Sequence, residues 1–301
     1  MKRSEHAALV ALLQHRPEGL GWQEITAEVL TSGSALETWR HLVPDTLFDE
    51  AGEHEALAAA DRQLESWVEA GVNFLSVLDA DYPARLRGIH QAPPILFWRG
   101  QLLAKDPAVS VVGSRNASER GLGIASEISR ALIKEGMTAV AGLAAGIDAA
   151  VHRAALEASG RTVAVIGTGI NKYYPAANRD LQEEIAQRGL LLSQFWPDAP
   201  PQRHNFLMRN ATMSGYGLAT VVVEAGETSG TRVQARLAVE HGRAVILTDS
   251  VVQQNTWAQK LEGRPGVHCV SGLKDVIEIV RKVISERRDA ADAMKQLLTT
   301  L

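Results

Sequence analysis

The sequence contains a single cysteine in 301 residues, Cys269. This excludes an intramolecular disulfide framework and a zinc site built from several cysteines. Because Cys269 stands in the apolar run 267–270, we expect its side chain to be buried. No run reaches the ~18 uninterrupted apolar residues that span a bilayer, and the first residues lack the pattern of a signal peptide. We therefore expect a cytoplasmic protein with no membrane partner.

An excess of positive charge is also absent. The 31 lysines and arginines face 35 aspartates and glutamates, which gives a formal net charge of −4. The overall field of such a chain does not attract nucleic acid, so any nucleic-acid binding needs a local basic site. With 46% hydrophobic and 22% charged residues, the composition is that of a globular protein and excludes global disorder.

The first part of the chain has helical spacing of its apolar residues. We predict four short helices there, at 7–14, 22–30, 35–42 and 54–70. Four of the six tryptophans precede residue 100, and we expect them to pack in the core of a small all-helical N-terminal domain and its junction.

From about residue 72 onward, short apolar runs alternate with longer amphipathic segments. We predict strands at 108–112, 138–141, 162–166, 190–193, 218–223 and 244–247. Helices are predicted between them at 118–134, 147–158, 179–187, 206–213 and 230–240, and one or two charged helices at 275–301. Such alternation is typical of a doubly wound, mostly parallel α/β sheet. We assign the N-terminal domain to 1–75, the sheet domain to 76–285 and a helical tail to 286–301.

Glycine-rich loops follow four of the predicted strands, and in a parallel sheet these loops meet at one edge. The glycines are Gly113 after the first strand, Gly142 and Gly146 after the second, Gly167 and Gly169 after the third, and Gly230 in a later loop with Ser229 and Thr231. Glycines beside helix N-termini allow backbone N–H groups to approach an anion closely. The loops therefore predict a site for a phosphate-bearing ligand. No loop matches a P-loop or a nicotinamide-binding Gly-x-Gly-x-x-Gly pattern, and we predict no cofactor.

A proline-rich segment, 195–206, separates the fourth and fifth predicted strands, and we expect it to be an extended surface loop. It presents Arg203, His204 and Arg209 around Phe206. Basic groups that meet phosphates beside an aromatic ring that stacks on a base would suit single-stranded nucleic acid. Equally, Phe206 could anchor the core at a helix start while the arginines are solvated, and the pattern leaves both interpretations open.

Together these motifs resemble the DprA/Smf family of DNA-processing proteins. The resemblance runs from about Asp79 to Val270 and rests on several blocks. These are Asp81-Tyr82-Pro83-Ala84-Arg85-Leu86, Val112-Gly113-Ser114-Arg115, Gly142-Leu143-Ala144-Ala145-Gly146-Ile147-Asp148, Tyr174-Pro175, Phe206 with Arg209-Asn210, and Glu224-Ala225 with Ser229-Gly230.

The resemblance implies a Rossmann-like fold, homodimerisation, single-stranded DNA binding and delivery of RecA recombinase onto that DNA during natural transformation. It implies that Arg115 and Arg203 contact phosphate and that Phe206 stacks on a base. Arg209 would line the same pocket, where Ser114 and Asn210 are further candidate DNA contacts. We expect no catalytic residue and no metal site.

Several positions depart from the family pattern. Gln194 stands where glutamate is usual, Leu207 replaces proline, and Ala211 replaces a second basic residue after Arg209-Asn210. The stretch 253–257 replaces Gly-x-Asn-x-Leu-Ile, and Arg264 stands where alanine is expected. A diverged member that acts in defence against foreign DNA is one interpretation of these changes.

Two other classes of function compete with DNA binding. The related LOG phosphoribohydrolases split nucleotide monophosphates with a glutamate at the position of Gln234, and an amide cannot act as a general base. Glu224 or Glu227 would have to substitute. Asp148 and His152 share a helix face and could be a catalytic or metal pair, although a helix-start carboxylate and a structural histidine explain them better. A nucleotide-sensing module is the third class.

Overall fold

The computed structural model describes residues 2–43 and 50–300. Four helices precede the first strand: α1 (Lys2–His15), α2 (Trp22–Ser32), α3 (Ala35–Leu42) and α4 (Glu50–Glu69). They confirm the four helices predicted from the spacing of apolar residues. Ser34 caps α3, since its side chain accepts a hydrogen bond from the backbone N–H of Glu37.

Within the described residues, nine strands form one sheet in the order β1-β2-β6-β5-β4-β3-β7-β8-β9. The strands are β1 (Asn73–Ser76), β2 (Ile95–Gly100), β3 (Ala108–Gly113), β4 (Thr138–Ala141), β5 (Thr162–Val165), β6 (Leu190–Ser193), β7 (Ala219–Glu224), β8 (Ala244–Thr248) and β9 (Val267–Val270). From β6 to β9 every neighbouring pair is parallel. β2 pairs antiparallel with both β1 and β6. The predicted doubly wound, mostly parallel Rossmann-like sheet is confirmed.

The remaining helices cover the sheet. They are α5 (Ala84–Arg87), α6 (Glu119–Lys134), α7 (Ile147–Glu157), α8 (Arg179–Arg188), α9 (Arg203–Tyr216), α10 (Gly230–Glu240), α11 (Asp249–Gln254), α12 (Thr256–Gln259) and α13 (Leu273–Thr300). One buried cluster joins α6, α7 and α13 to the sheet. A second joins α8, α9 and α10 to the sheet together with the N-terminal helices. The strands are buried on both faces, as their apolar sequences require.

Two expectations were wrong. Cys269 is exposed, because β9 is the last strand of the sheet and, within the described residues, no strand pairs with its outer side. The segment after β6 is not wholly a surface loop: Phe195 is buried and Trp196 is half-buried. The Trp196 ring lies 5.2 Å from Trp22 and 5.6 Å from Trp67 between centroids, which ties this segment to the N-terminal helices.

The division into domains stays a prediction. β1 spans the first proposed boundary, after residue 75, and α13 runs across the second, after residue 285. Residue 301, the end of the predicted tail, lies outside the described residues. None of the helices in the described part of the chain has both the length and the apolar character that crossing a membrane requires.

Candidate functional site

The order of the strands creates a crevice between β3 and β7. The chain leaves β3 toward β4 on one side, whereas β7 lies on the other side, so the loops after β3 and β7 diverge. The two loops are joined at their bases, where the Ser114 N–H donates to the Glu224 carbonyl at 2.8 Å. A cavity of about 910 Å³ opens above this point. It is large enough for a nucleotide-sized ligand.

The cavity collects most of the side chains that the sequence singled out. Its lining includes Gly113, Ser114, Arg115, Arg203, Phe206, Arg209, Asn210, Ser229, Gly230 and Thr231. Four other predicted glycines do not line it. Gly142, Gly146 and Gly167 lie behind lining residues, whereas Gly169 packs against the backbone of Trp196 and Pro197. The lining also includes Tyr174, Asp148 and Arg232, to which the sequence analysis gave no DNA contact; for Tyr174 the Tyr174-Pro175 block was an available signal.

The helix starts around the cavity are capped by local side chains. Ser118 Oγ accepts from the Gly121 N–H at 3.0 Å and begins α6, while the Ser118 N–H donates to the Glu224 carboxylate at 3.0 Å. Ser229 Oγ accepts from the Thr231 N–H at 3.1 Å and begins α10. These hydrogen bonds fix the first turns of α6 and α10 beside the cavity.

Phe206 lies in the first turn of α9, half-buried in the cavity wall. One side of its ring packs so closely on Gly167 that a Cβ there would overlap the ring. The Arg115 guanidinium lies over the ring, 5.4 Å from its centroid, and the half-exposed Tyr174 ring lies 5.3 Å away. Phe206 is therefore neither a core anchor nor free in solvent: it is a supported aromatic surface beside a cation.

Arg115 and Arg203 are exposed, whereas Arg209 is only 5% exposed. Arg209 Nη1 donates to the Val165 carbonyl at 2.8 Å. Its guanidinium occupies the space that a side chain at Gly142 would need, which explains why a glycine stands there. Burial lowers the pKa of Arg209 and the nearby Asp148 carboxylate opposes that shift.

Asp148 is the acidic member of the lining. Burial raises the pKa of its carboxyl, and the charge of Arg209 and the N–H groups of Ala144 and Gly142 oppose that rise. The two N–H groups donate to it at 3.3 and 3.1 Å. The Asp148 carboxylate thus accepts hydrogen bonds from the loop after β4 and offsets the positive charge of Arg209. With Arg115, Arg203 and Arg232 added, the lining carries four cations and one anion, although the chain as a whole is acidic.

The environment of His152 is that of a structural residue and not of a catalytic one. It is fully buried, and Nδ1 lies 2.7 Å from Thr162 Oγ1. Burial, with smaller contributions from Arg209 and Arg153, lowers the pKa of His152 to about 3, so the ring is neutral near pH 7. In the described residues no group of three or more metal-ligating side chains comes together.

The carboxylates that a hydrolase would need are engaged elsewhere. Glu224 binds the N–H and hydroxyl of Ser118, and Glu227 accepts from the Thr256 N–H at 2.8 Å. Gln234 is 1% exposed, and neither its amide nitrogen nor its oxygen has a partner among the described residues. Neither Glu224 nor Glu227 is therefore free to act as the base.

A family model described as DNA recombination-mediator protein A matches residues 73–281. The chain is 42% identical over 172 residues to DNA processing protein DprA of Streptococcus pneumoniae, which covers 57% of this chain and 61% of that protein. It is 41% identical to Protein Smf of Synechocystis over 188 residues, and this match covers 61% of this chain and 47% of that protein. The chain therefore spans between about half and two thirds of these relatives. Both are named for DNA processing or for the family rather than for a catalysed reaction.

Solved structures agree with this assignment. The structure of the Streptococcus pneumoniae DprA superposes with a TM-score of 0.72 at 30% identity, covering 92% of this chain and 98% of that one. DNA processing protein A of Helicobacter pylori, solved for its single-stranded DNA binding mode, has the same fold, with a TM-score of 0.62 at 23% identity over 70% of this chain and 96% of that one. The chain belongs to the DNA recombination-mediator protein A family, the DprA/Smf family of DNA-processing proteins.

Proposed function

We propose that the cavity between β3 and β7 binds single-stranded DNA, and that the chain acts as a homodimer that delivers RecA-type recombinase onto the bound strand. The observation that carries the DNA-binding proposal is the position of Phe206. Its ring is supported by Gly167 and lies under Arg115 in a cavity lined by four arginines. Stacking on an aromatic ring beside phosphate contacts is how proteins bind unpaired bases.

The shape of the site favours a single strand over a duplex. The aromatic surface lies inside a cavity, and a base can reach it only when it is not stacked in a double helix. Arg115 and Arg203 are exposed at the cavity and would contact the phosphate backbone of the DNA, which is the same for every base sequence. We therefore expect slight sequence preference and strong salt dependence. The Helicobacter pylori relative, named for single-stranded DNA binding, supports this proposal.

Fluorescence anisotropy with a labelled oligothymidylate tests the proposal. Arg115→Gln should weaken binding several-fold and reduce the slope of log K against log salt by about 0.7, the value for one lost phosphate contact. Phe206→Ala should weaken binding by about 1–3 kcal/mol for each stacked base while leaving the slope unchanged, because it removes no charge. Lys105→Gln is the matched control, since Lys105 is exposed before β3, at the opposite edge of the sheet.

Two outcomes would contradict the proposal: no binding of the single strand at low salt, or equal affinity for a matching duplex. Competition by thymidine monophosphate at the same affinity as the oligonucleotide would favour the nucleotide-sensing alternative instead. The role in recombination is tested separately. The chain should accelerate RecA assembly on an oligonucleotide already covered by single-strand-binding protein, and light scattering should report a dimer.

A further inference from the structure

A second basic cavity lies beside the first. It has a volume of about 410 Å³ and is bordered by α10, α12 and the turn after α12. Its basic side chains are Arg232, Arg236, Lys260 and Arg264, and its apolar lining consists of Val233, Trp257 and Leu261. Two of these, Trp257 and Arg264, belong to the segments that depart from the family pattern.

The four basic side chains are all exposed. Arg232 and Arg236 are four residues apart on α10 and so share one face, whereas Lys260 and Arg264 lie in the turn after α12. In the described part of the chain, Arg236 has an ion pair with Glu240 at 3.7 Å. The Glu227 carboxylate is close enough to Arg232 for that charge to lower the pKa of Glu227. Lys260 and Arg264 make no ion pair within the described residues, so two cations remain uncompensated.

The two cavities are adjacent, because Arg232 and Val233 line both the cavity between β3 and β7 and this second cavity. Neither Asp nor Glu is among the residues that line the second cavity. A flexible polyanion that leaves the first cavity past Arg232 therefore meets further cations.

We infer that the phosphate backbone of the bound single strand continues from the first cavity across Arg232 onto Lys260 and Arg264. This inference rests on the proposed function and lengthens its binding path by at least two phosphate contacts. Val233 is half-buried, and Trp257 and Leu261 are each 7% exposed, so the apolar contact available to sugars and bases is small and the cations contribute most of the binding.

The test compares strand lengths. Anisotropy is measured with an oligothymidylate of about 4 nucleotides, which occupies mainly the first cavity, and with one of about 20 nucleotides, which reaches both. The variant Lys260→Gln/Arg264→Gln should weaken binding of the longer strand about tenfold and reduce its salt slope by about 1.4, the value for two contacts. Binding of the short strand should not change.

The control variant is Lys105→Gln/Lys134→Gln, which removes the same charge from exposed positions before β3 and β4, at the opposite edge of the sheet. The inference is overturned if the two double variants bind the long strand equally, or if Lys260→Gln/Arg264→Gln weakens both lengths to the same extent. Failure of the wild-type protein to bind the short strand would instead refute the proposed function. The two failures are thus distinguishable in one set of titrations.

Discussion

Replacing Arg209 by methionine tests whether its buried guanidinium holds the site together. The substitution keeps an unbranched side chain of similar length but removes the charge that faces Asp148 and the hydrogen bond to the Val165 carbonyl. Asp148 would remain buried with only two backbone N–H groups as partners. The chain would then contain a buried carboxylate whose remaining cationic neighbour is the exposed Arg115.

The size of the effect follows from the geometry. Arg209 and Asp148 lie beyond the 4.0 Å of a direct ion pair but influence each other's pKa. At an effective dielectric constant of about 20, two unit charges about 4 Å apart attract by about 4 kcal/mol, so beyond that distance we expect an attraction of about 3 kcal/mol. The lost hydrogen bond adds about 1–2 kcal/mol, because it leaves a buried carbonyl without its donor. We expect Arg209→Met to lower the free energy of unfolding by about 3–5 kcal/mol at neutral pH.

The effect should depend on pH with a defined sign. The pKa of Asp148 is raised above its ordinary value of 3.8, so its contribution to stability is present at low pH and is lost as pH rises through the folded-state pKa. Without Arg209 that pKa rises further. The deficit of Arg209→Met relative to wild type should therefore be larger at about pH 7.5 than at about pH 5.

Urea unfolding of the two single variants and the double variant measures the coupling. Asp148→Asn removes the uncompensated charge, so it should restore about 2–3 kcal/mol in the Arg209→Met background although it destabilises the wild type. If the effects of the two substitutions instead add to within about 0.5 kcal/mol, the two side chains are not coupled and the reasoning fails.

Two further predictions concern two buried groups, His152 behind the cavity and Gln234 in its lining. His152 has a pKa of about 3 when folded and an ordinary value of 6.5, so stability should fall as pH drops from about 6.5 toward 3, because the unfolded chain binds the proton. In His152→Leu this fall in melting temperature should be smaller, and an unchanged profile would assign the acid sensitivity elsewhere. Gln234→Met should raise the free energy of unfolding by about 1–2 kcal/mol in calorimetry, since it replaces a buried amide that lacks partners. A lower melting temperature would show that the amide is satisfied.

Much of the sheet could be predicted from the sequence because parallel strands covered on both faces are continuous apolar runs. All six predicted strands are present. The three missed strands lie at the ends of the sheet or pair antiparallel. β1 is four residues long and follows α4 closely, while β2 directly follows Pro93 and Pro94. β9 was recognised as apolar but its position at the edge was not, which is why Cys269 was expected to be buried.

The site was predictable to the extent that parallel topology brings loops together. Arg115, Phe206 and Arg203 line one cavity although nearly 90 residues separate the first from the others. The different environments of the arginines were not predictable. Arg209 is buried because Gly142, far away in the sequence, leaves room for it, and no local pattern encodes such a tertiary fit. For the same reason the sequence did not predict the second cavity. It showed only that the stretch 253–257 and Arg264, which contribute to that cavity, differ from the family pattern.

The packing of Trp196 against Trp22 and Trp67 connects the N-terminal helices to the segment that leads into the cavity. Trp196 lies in the short connection between β6 and α9, and Arg203 is the first residue of α9, so the packing of the Trp196 ring helps to fix where Arg203 begins the helix. The N-terminal helices thus hold in place the segment that presents Arg203 at the cavity. Weakening this packing, for example at Trp22, would let the connection move and would change the shape of the cavity without altering a residue that lines it.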